Sequence, residues 1–330
     1  MKDVLNRLIQ HEQLSKTEAK SILTHIANGS YNTSQIASFL TVYMMRPVSV
    51  EELEGFRDAL LELCLNVDFS SYNPVDLCGT GGDGKDTFNV STLASFVTAG
   101  AGVKVTKHGN YGVSSSCGSS NVLEHLGILF TNDKAYLEKA IDQVGICVLH
   151  APLFHPAMKN VAPIRRELGV KTFFNMLGPM VNPALPPNQM VGVFSLELAR
   201  LYGYLYQKSN KNFTIVHALD GYDEVSLTGD TKIISRESES ILKPADFQLN
   251  TLKPSEISGG DSIESAAKIF MSVLENKSTA AQKQVVCANA ALAIDTVKKI
   301  GLSEAYQTAV ESLESGKALE TFKKLQNLKA

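Results

Sequence analysis

The sequence predicts an α/β protein, with a small helical domain over residues 1–70 followed by a larger domain over 71–330 built on a mostly parallel sheet flanked by helices. Two observations carry this. In the first 65 residues apolar side chains recur at helical spacing behind repeated capping signatures, and no strand pattern interrupts them. From Tyr72 onward short β-rich runs alternate with helical stretches, the pattern of parallel strands joined by crossover helices. A chain of 330 residues, 44% hydrophobic and 20% charged, is long enough to bury the cores that such an arrangement needs.

Taken in order, Ser15-Lys16-Thr17-Glu18 is a capping box, in which serine oxygen and glutamate carboxylate satisfy backbone N–H groups at a helix start. Ala19, Ile22, Leu23 and Ile26 then share one face, and Gly29 supplies the stop. A second stripe of Ile36, Phe39, Leu40 and Tyr43 ends at Pro47. Ser49-Val50-Glu51-Glu52 repeats the capping signature ahead of Leu53, Phe56 and Leu60, which makes three consecutive amphipathic helices. The β-rich runs are Val75–Cys78, Val103–Thr106, Ile146–His150, Met190–Val193 and Phe213–Ala218. Helix-forming sequence returns at Thr279–Val297 and Ser303–Leu328, and no internal repeat or low-complexity tail is evident.

Charge and cysteine usage exclude several classes. With 31 basic and 34 acidic side chains the net charge is −3, so no global positive field exists to gather a polyanion, and nucleic acid is not expected as a partner. The five cysteines are scattered and never spaced as a C-x-x-C pair, which suggests neither a disulfide framework nor a zinc site and fits reduced cytosol. The N-terminus alternates polar and apolar residues, and nowhere do about 18 apolar residues run unbroken, so a cytoplasmic protein with no membrane partner is expected.

The strongest chemical signal is the stretch from Asp76 to Thr92, which contains Gly79-Thr80-Gly81-Gly82-Asp83 and ends in Thr87-Phe88-Asn89-Val90-Ser91-Thr92. It lies between a predicted strand and a helix expected to begin near Leu93, the place where open α/β sheets bind ligands. Glycines without Cβ let backbone N–H groups converge on a phosphate, and Asn89, Ser91 and Thr92 add donors beside the positive end of the helix. Read alone, the glycines would equally suit a tight turn. The polar run behind them favours an anion cradle.

A second loop is expected after the next strand, where Lys107-His108-Gly109-Asn110 leads into Ser114-Ser115-Ser116-Cys117-Gly118-Ser119-Ser120, with Asn121-Val122-Leu123-Glu124 capping a helix. One cation and many hydroxyls again suit phosphate. Asp223-Glu224, just past the strand ending near Ala218, would by itself be solvated charge. Beside a diphosphate it becomes a pair of hard oxygen ligands for magnesium.

Together these segments resemble the anthranilate phosphoribosyltransferase family, whose members carry Gly-Thr-Gly-Gly-Asp ending in Thr-Phe-Asn-x-Ser-Thr, then Lys-His-Gly-Asn and a serine-rich stretch. The likeness continues through His155-Pro156-Ala157-Met158, Val161 to Gly169 and Phe174-Asn175-Met176-Leu177-Gly178-Pro179, and covers nearly the whole chain. It implies a nucleoside phosphorylase/phosphoribosyltransferase-like fold, in which the segment near 155–180 is expected to pack back on the helical domain. It also implies the reaction in which anthranilate displaces diphosphate from 5-phosphoribosyl diphosphate in tryptophan biosynthesis, with Mg²⁺, two ions beside the bound donor, and a homodimer formed through the helical domain.

By the same resemblance, the donor is held by Gly79, Gly82, Asp83, Thr87, Asn89, Val90, Ser91, Thr92, Lys107, His108, Gly109, Asn110, Ser114, Ser115 and Ser119. The metal falls to Ser91, Asp223 and Glu224. Anthranilate falls to Gly79, Asn110, His155 and Arg165, whose guanidinium fork suits a carboxylate. No catalytic base is assigned. Two departures stand out: Tyr111 occupies a position where many members have arginine, and Cys117-Gly118-Ser119-Ser120-Asn121 replaces the commoner Ser-Gly-Ser-Ala-Asp.

Two other readings fit less of the chain. Pyrimidine nucleoside phosphorylases share the architecture but carry a Lys-His-Ser-Thr-Gly-Gly type loop and do not need Asp223-Glu224. A non-catalytic nucleic-acid binder would call for a basic groove and lost carboxylates, whereas this chain has a net negative charge and retains both carboxylates.

Overall fold

The structure is a computed structural model that describes residues 1–112 and 117–329. Its contacts divide the chain into two compact units, Met1–Asn66 with Ala151–Pro183, and Val67–His150 with Ala184 onward.

In chain order the first unit opens with α1 (Lys2–Ile9), α2 (Lys16–Ala27), α3 (Thr33–Met45) and α4 (Val50–Leu63). Capping boxes at Ser15, Asn32 and Ser49 start the last three, each side chain accepting from the N3 backbone N–H. α1 lies outside the three helices read from the sequence. Glu52 does more than cap: fully buried, it accepts hydrogen bonds from Leu14 N, Tyr43 Oη and the Arg46 guanidinium, so its charge is compensated on every side.

The second unit opens with β1 (Val75–Gly79), α5 (Val90–Gly100), β2 (Val105–Gly109), α6 (Ser119–His125), α7 (Lys134–Lys139) and β3 (Ile146–His150). The chain then returns to the first unit for α8 (Ala151–Phe154), α9 (Ala162–Leu168) and α10 (Phe174–Leu177). There Phe173 stacks on Phe56 at 4.4 Å and meets Phe39 and Tyr43 edge-on, which joins the 151–183 segment to the core of the N-terminal helices.

Back in the second unit follow β4 (Asn188–Gly192), α11 (Leu196–Gln207), β5 (Asn212–Ala218), β6 (Thr231–Ser235), β7 (Glu239–Leu242), α12 (Ile263–Leu274), α13 (Ala280–Lys298), α14 (Leu302–Glu314) and α15 (Lys317–Gln326). The sheet order is β3-β2-β1-β4-β5-β6-β7, with β1 to β5 parallel and the β6–β7 hairpin antiparallel at one edge. β3 and β4 are buried along their whole length and β1 and β2 along all but the last residue, as expected of parallel strands covered on both faces.

Three local expectations are corrected. β2 runs to Gly109 rather than ending at Thr106, because Lys107 and His108, polar enough to read as loop, find buried partners inside the sheet. The helix after β1 starts at Val90 rather than near Leu93. The stretch from Ser303 to Leu328 is two helices, since Gly316 at φ +81° takes the left-handed conformation that ends one and begins the other.

Candidate active site

Strands β1, β2 and β3 step outward in one direction and β4, β5 in the other, so the winding reverses between the neighbours β1 and β4. The crevice at the carboxyl ends of these two strands is where an open α/β sheet takes a ligand. Three segments meet there: the glycine loop after β1, the turn after β5 that carries Asp223 and Glu224, and the start of α5.

Asp223 and Glu224 are held by main-chain donors of the glycine loop and helix. Asp223 Oδ2 accepts from Gly81 N at 2.7 Å, and Glu224 Oε1 accepts from Ser91 N at 3.2 Å. Asp83 Oδ2 accepts from the Asp223 backbone at 3.4 Å, and the Lys85 ammonium lies over the Tyr222 ring, so the two loops are joined twice more. Beneath Asp223, Gly79 and Gly192 stand in register on β1 and β4. A Cβ on Gly79 would strike the Asp223 carboxylate, and one on Gly192 would strike the Asp223 carbonyl oxygen. Glycine is required here for space rather than for an unusual backbone angle.

The electrostatics of the pair are unfavourable by themselves. Burial raises the Asp223 carboxyl above its ordinary range, and the neighbouring Asp83 raises it further. Burial also holds Glu224 well above the usual glutamate value, with Asp223 and Asp83 adding to it. Glu224 Oε2 is buried and has no hydrogen-bond partner among the described residues. Adjacent buried carboxylates of this kind call for a cation, and their hard oxygens suit Mg²⁺. Among the described residues no group of three or more His, Cys, Asp or Glu forms a ready-made cage. Mg²⁺ is commonly held by one or two carboxylates with water and phosphate oxygens completing its shell, a donor set that this pair can supply.

Lys107 lies on the neighbouring strand β2, near enough to Glu224 for the two charges to interact. Its Nζ donates to Leu77 O at 2.8 Å; burial lowers its pKa, while Asp76, Cys78 and Glu224 oppose that shift. His108 sits beside it in β2, its backbone N donating to Asp76 Oδ1 at 3.2 Å.

Gly81, Gly82 and Gly84 adopt φ between +63° and +74°, a left-handed path open to glycine. Asn89 is the N-cap of α5 without capping it through its side chain. Its Nδ2 donates instead to Cys117 O at 3.2 Å, and its Oδ1 is buried with no partner among the described residues. Val90, Ser91 and Thr92 form the first turn, and Thr87 pairs with Ser258 in an isolated bridge.

Past β2, a Cβ on Gly109 would lie 2.6 Å from Ser119 Oγ, and Asn110 O accepts from Ser119 Oγ and Ser120 N. Ser114 and Ser115 lie outside the described residues. Asn121 is corrected from a helix cap to the third residue of α6, where its Oδ1 accepts from Gly112 N and Gly118 N. Tyr111 donates to Glu124 at 3.1 Å and sets its ring against His150, so its hydroxyl is engaged with α6.

The remaining acceptor candidates belong to the first unit. Arg165 is half-buried on α9, its guanidinium over the Phe174 ring and its Nη2 donating to Asn175 Oδ1 at 3.4 Å, whereas Arg166 is exposed. His155 is buried with Nε2 against Val181 O at 3.0 Å, and burial lowers its pKa to about 4, so it is a neutral ring held in the core of its unit.

Sequence reasoning missed Gly192 and Asn289. Gly192 read only as part of a strand. Asn289 lay within the helix-forming Ala288-Asn289-Ala290-Ala291 run, where the one signal was a poor helix former in an alanine-rich interior.

Residues 2–64 match the helical bundle domain and 71–319 the a/b domain of the glycosyl transferase family. The chain is 67% identical to the anthranilate phosphoribosyltransferase of Flavobacterium psychrophilum over 99% of both chains, and 51% identical to that of Bacteroides thetaiotaomicron, again over 99% of both. Among solved structures it is similar to anthranilate phosphoribosyltransferase from Thermus thermophilus, with a TM-score of 0.92 at 31% identity over 99% of both chains. It is also similar to the Saccharomyces cerevisiae enzyme in complex with PRPP and Mg, with a TM-score of 0.88 at 28% identity over 97% of this chain and 95% of that one. The helical bundle, the mostly parallel sheet and the full-length likeness agree, and the chain belongs to the anthranilate phosphoribosyltransferase family.

Proposed function

We propose that the chain transfers the 5-phosphoribosyl group of 5-phosphoribosyl diphosphate to the amine of anthranilate, releasing diphosphate, as a step of tryptophan biosynthesis. The observation that carries this reading is the Asp223-Glu224 pair, fastened to Gly81 N and Ser91 N in the switch-point crevice beside buried Lys107. The yeast relative, solved with PRPP and Mg and with 4-fluoroanthranilate, supports the same assignment of substrates.

In this reaction the bond from ribose carbon 1 to diphosphate oxygen breaks, the bond to the anthranilate nitrogen forms, and that nitrogen then gives up a proton to solvent. Negative charge grows on the departing diphosphate. Groups that meet it more strongly in the transition state than in the ground state lower the barrier. Gly79, Gly82, Asp83, Thr87, Asn89, Val90, Thr92, His108, Gly109, Asn110 and Ser119 wrap the donor in this reading, and Lys107 biases the local field toward anions. Asp223, Glu224 and Ser91 would hold magnesium, two ions with the donor bound, and the metal would neutralise charge on the diphosphate oxygens. The arylamine is neutral at pH 7, so its lone pair attacks without a strong base, and placement of the two substrates dominates the rate. Arg165 takes the anthranilate carboxylate, with Asn110, His155 and the backbone at Gly79 also serving the acceptor. A homodimer formed through the helical unit, in the cytoplasm, completes the reading.

The deciding experiment follows loss of anthranilate fluorescence in the presence of 5-phosphoribosyl diphosphate and Mg²⁺, with and without chelator. Metal-dependent turnover is expected. Absence of turnover with anthranilate, or turnover indifferent to chelator, would overturn the reading. Separately, Arg165→Ala should raise the anthranilate KM by about 10- to 100-fold, the cost of a hydrogen-bonded charge pair, and leave the donor KM nearly unchanged. Equal effects on both constants would remove Arg165 from the acceptor site.

A further inference from the structure

Asp223 and Glu224 sit in an irregular turn between β5 and β6, and such a turn does not by itself fix the direction of a carboxylate. The next residue, Val225, is nonetheless held at both of its backbone groups by one side chain. Asn289 Oδ1 accepts from Val225 N at 3.0 Å, and Asn289 Nδ2 donates to Val225 O at 2.9 Å. The second N–H of that amide donates to Val285 O at 2.9 Å, one turn back along α13. The three partners fix the amide's orientation, because a flipped amide would set its nitrogen against the Val225 N–H, donor facing donor.

Asn289 is 1% exposed and lies at the middle of α13, a helix that packs against α5, β4 and β5. Asparagine is a poor choice for a helix interior. Here it gives the turn the pair of hydrogen bonds that a neighbouring strand would otherwise provide. The N–H it grips belongs to the peptide bond leaving Glu224, so the clamp sets the plane from which the Glu224 side chain departs toward Ser91 N. On the other side, Gly192 lets the Asp223 carbonyl rest against β4. The acidic pair is thus located by a strand end before it and a helix side chain after it.

We propose that Asn289 is a positioning residue for the metal-binding carboxylates: its amide locks the Glu224–Val225 peptide so that both acids present their oxygens to a divalent cation. This rests on the assignment of Asp223 and Glu224 as magnesium ligands. Partners that orient ligands act on metal affinity by roughly 10- to 100-fold when lost.

The test is calorimetric titration of the full chain with 5-phosphoribosyl diphosphate at fixed Mg²⁺, for wild type, Asn289→Leu, Asn289→Ala and a control, Thr296→Val. Thr296 is equally buried on α13 and pairs with Thr214, away from the acidic turn. Expected are a Kd for the magnesium-donor complex raised about tenfold or more in the Asn289 variants, an unchanged anthranilate KM, and a control that loses thermal stability without losing affinity. Asn289→Ala leaves room for water beside Val225 and covers the case in which Asn289→Leu does not fold. Wild-type affinity in a folded Asn289 variant would overturn the proposal, as would equal weakening by Thr296→Val, or failure of both Asn289 variants to fold, which would make the amide a requirement of the whole fold. A wild-type protein that binds no magnesium-donor complex would instead refute the assignment of the carboxylates themselves.

Discussion

Asp223→Asn combined with Glu224→Gln is expected to lower kcat/KM by about three orders of magnitude, the loss of several kcal/mol of charge stabilisation on the departing diphosphate. The substitutions preserve shape and remove only the anionic oxygens, so the effect should appear as lost magnesium dependence rather than as misfolding. The fold itself should gain. In the metal-free protein burial raises both carboxyls, so the folded state holds their protons to higher pH than the unfolded chain does. Stability from these groups is then present at low pH and declines as pH rises from the ordinary carboxylate range toward neutrality. The double variant should lack that decline, with a Tm at or above wild type at pH 7 to 8 and little changed near pH 4. Steady-state kinetics against Mg²⁺, together with thermal melts in chelator across pH, read both effects. Retained magnesium-dependent turnover would sink the ligand assignment.

The next largest effect is expected at the paired glycines. Gly192→Ala places a methyl group where the Asp223 carbonyl oxygen stands, backbone against backbone, so either β4 or the acidic turn must move. Overpacking of this kind costs about 1–3 kcal/mol or more. A fall in Tm together with activity at least about 100-fold below wild type should follow, because a displacement near 1 Å at a reacting site is enough for that. For Gly79→Ala the nearest atoms met by the new methyl belong to the Asp223 side chain, which can rotate away. It should therefore keep a near-native melt while weakening magnesium-dependent activity. If Gly192→Ala were as stable and active as wild type, Asp223 could not be seated as described.

The helical start of the chain was legible because its signals are local. Ser15 and Ser49 form the capping boxes their sequences announce, and Ile22, Leu23, Ile26, Phe39, Tyr43, Phe56 and Leu60 are all buried. Strand positions were nearly as plain where apolar runs continued unbroken, as at Ile146–His150. The reading slipped where polarity and burial diverge. Lys107 and His108 looked like loop residues, yet they lie inside β2, since a buried amine or amide is tolerated once Leu77 O and Asp76 receive it. The β6–β7 hairpin escaped notice because it lies at the sheet edge with charged and hydroxyl residues among its apolar ones, leaving little periodicity to read.

Residue types and their order determined that this chain has a helical bundle ahead of a mostly parallel sheet, and that glycine-rich and serine-rich segments with an acidic couple were the places to look for chemistry. Those are properties of short stretches, set by backbone preference, side-chain period and the donors and charges that each residue carries. Only the tertiary structure decided that Asp223 rests on two glycines from adjacent strands, that Ser91 N meets Glu224, and that Asn289, 64 residues beyond Val225, grips the backbone beside them. Such contacts join segments far apart in the chain. They are created by the pairing of β1 with β4 and the packing of α13 against the sheet, and no local pattern encodes which distant side chain will arrive.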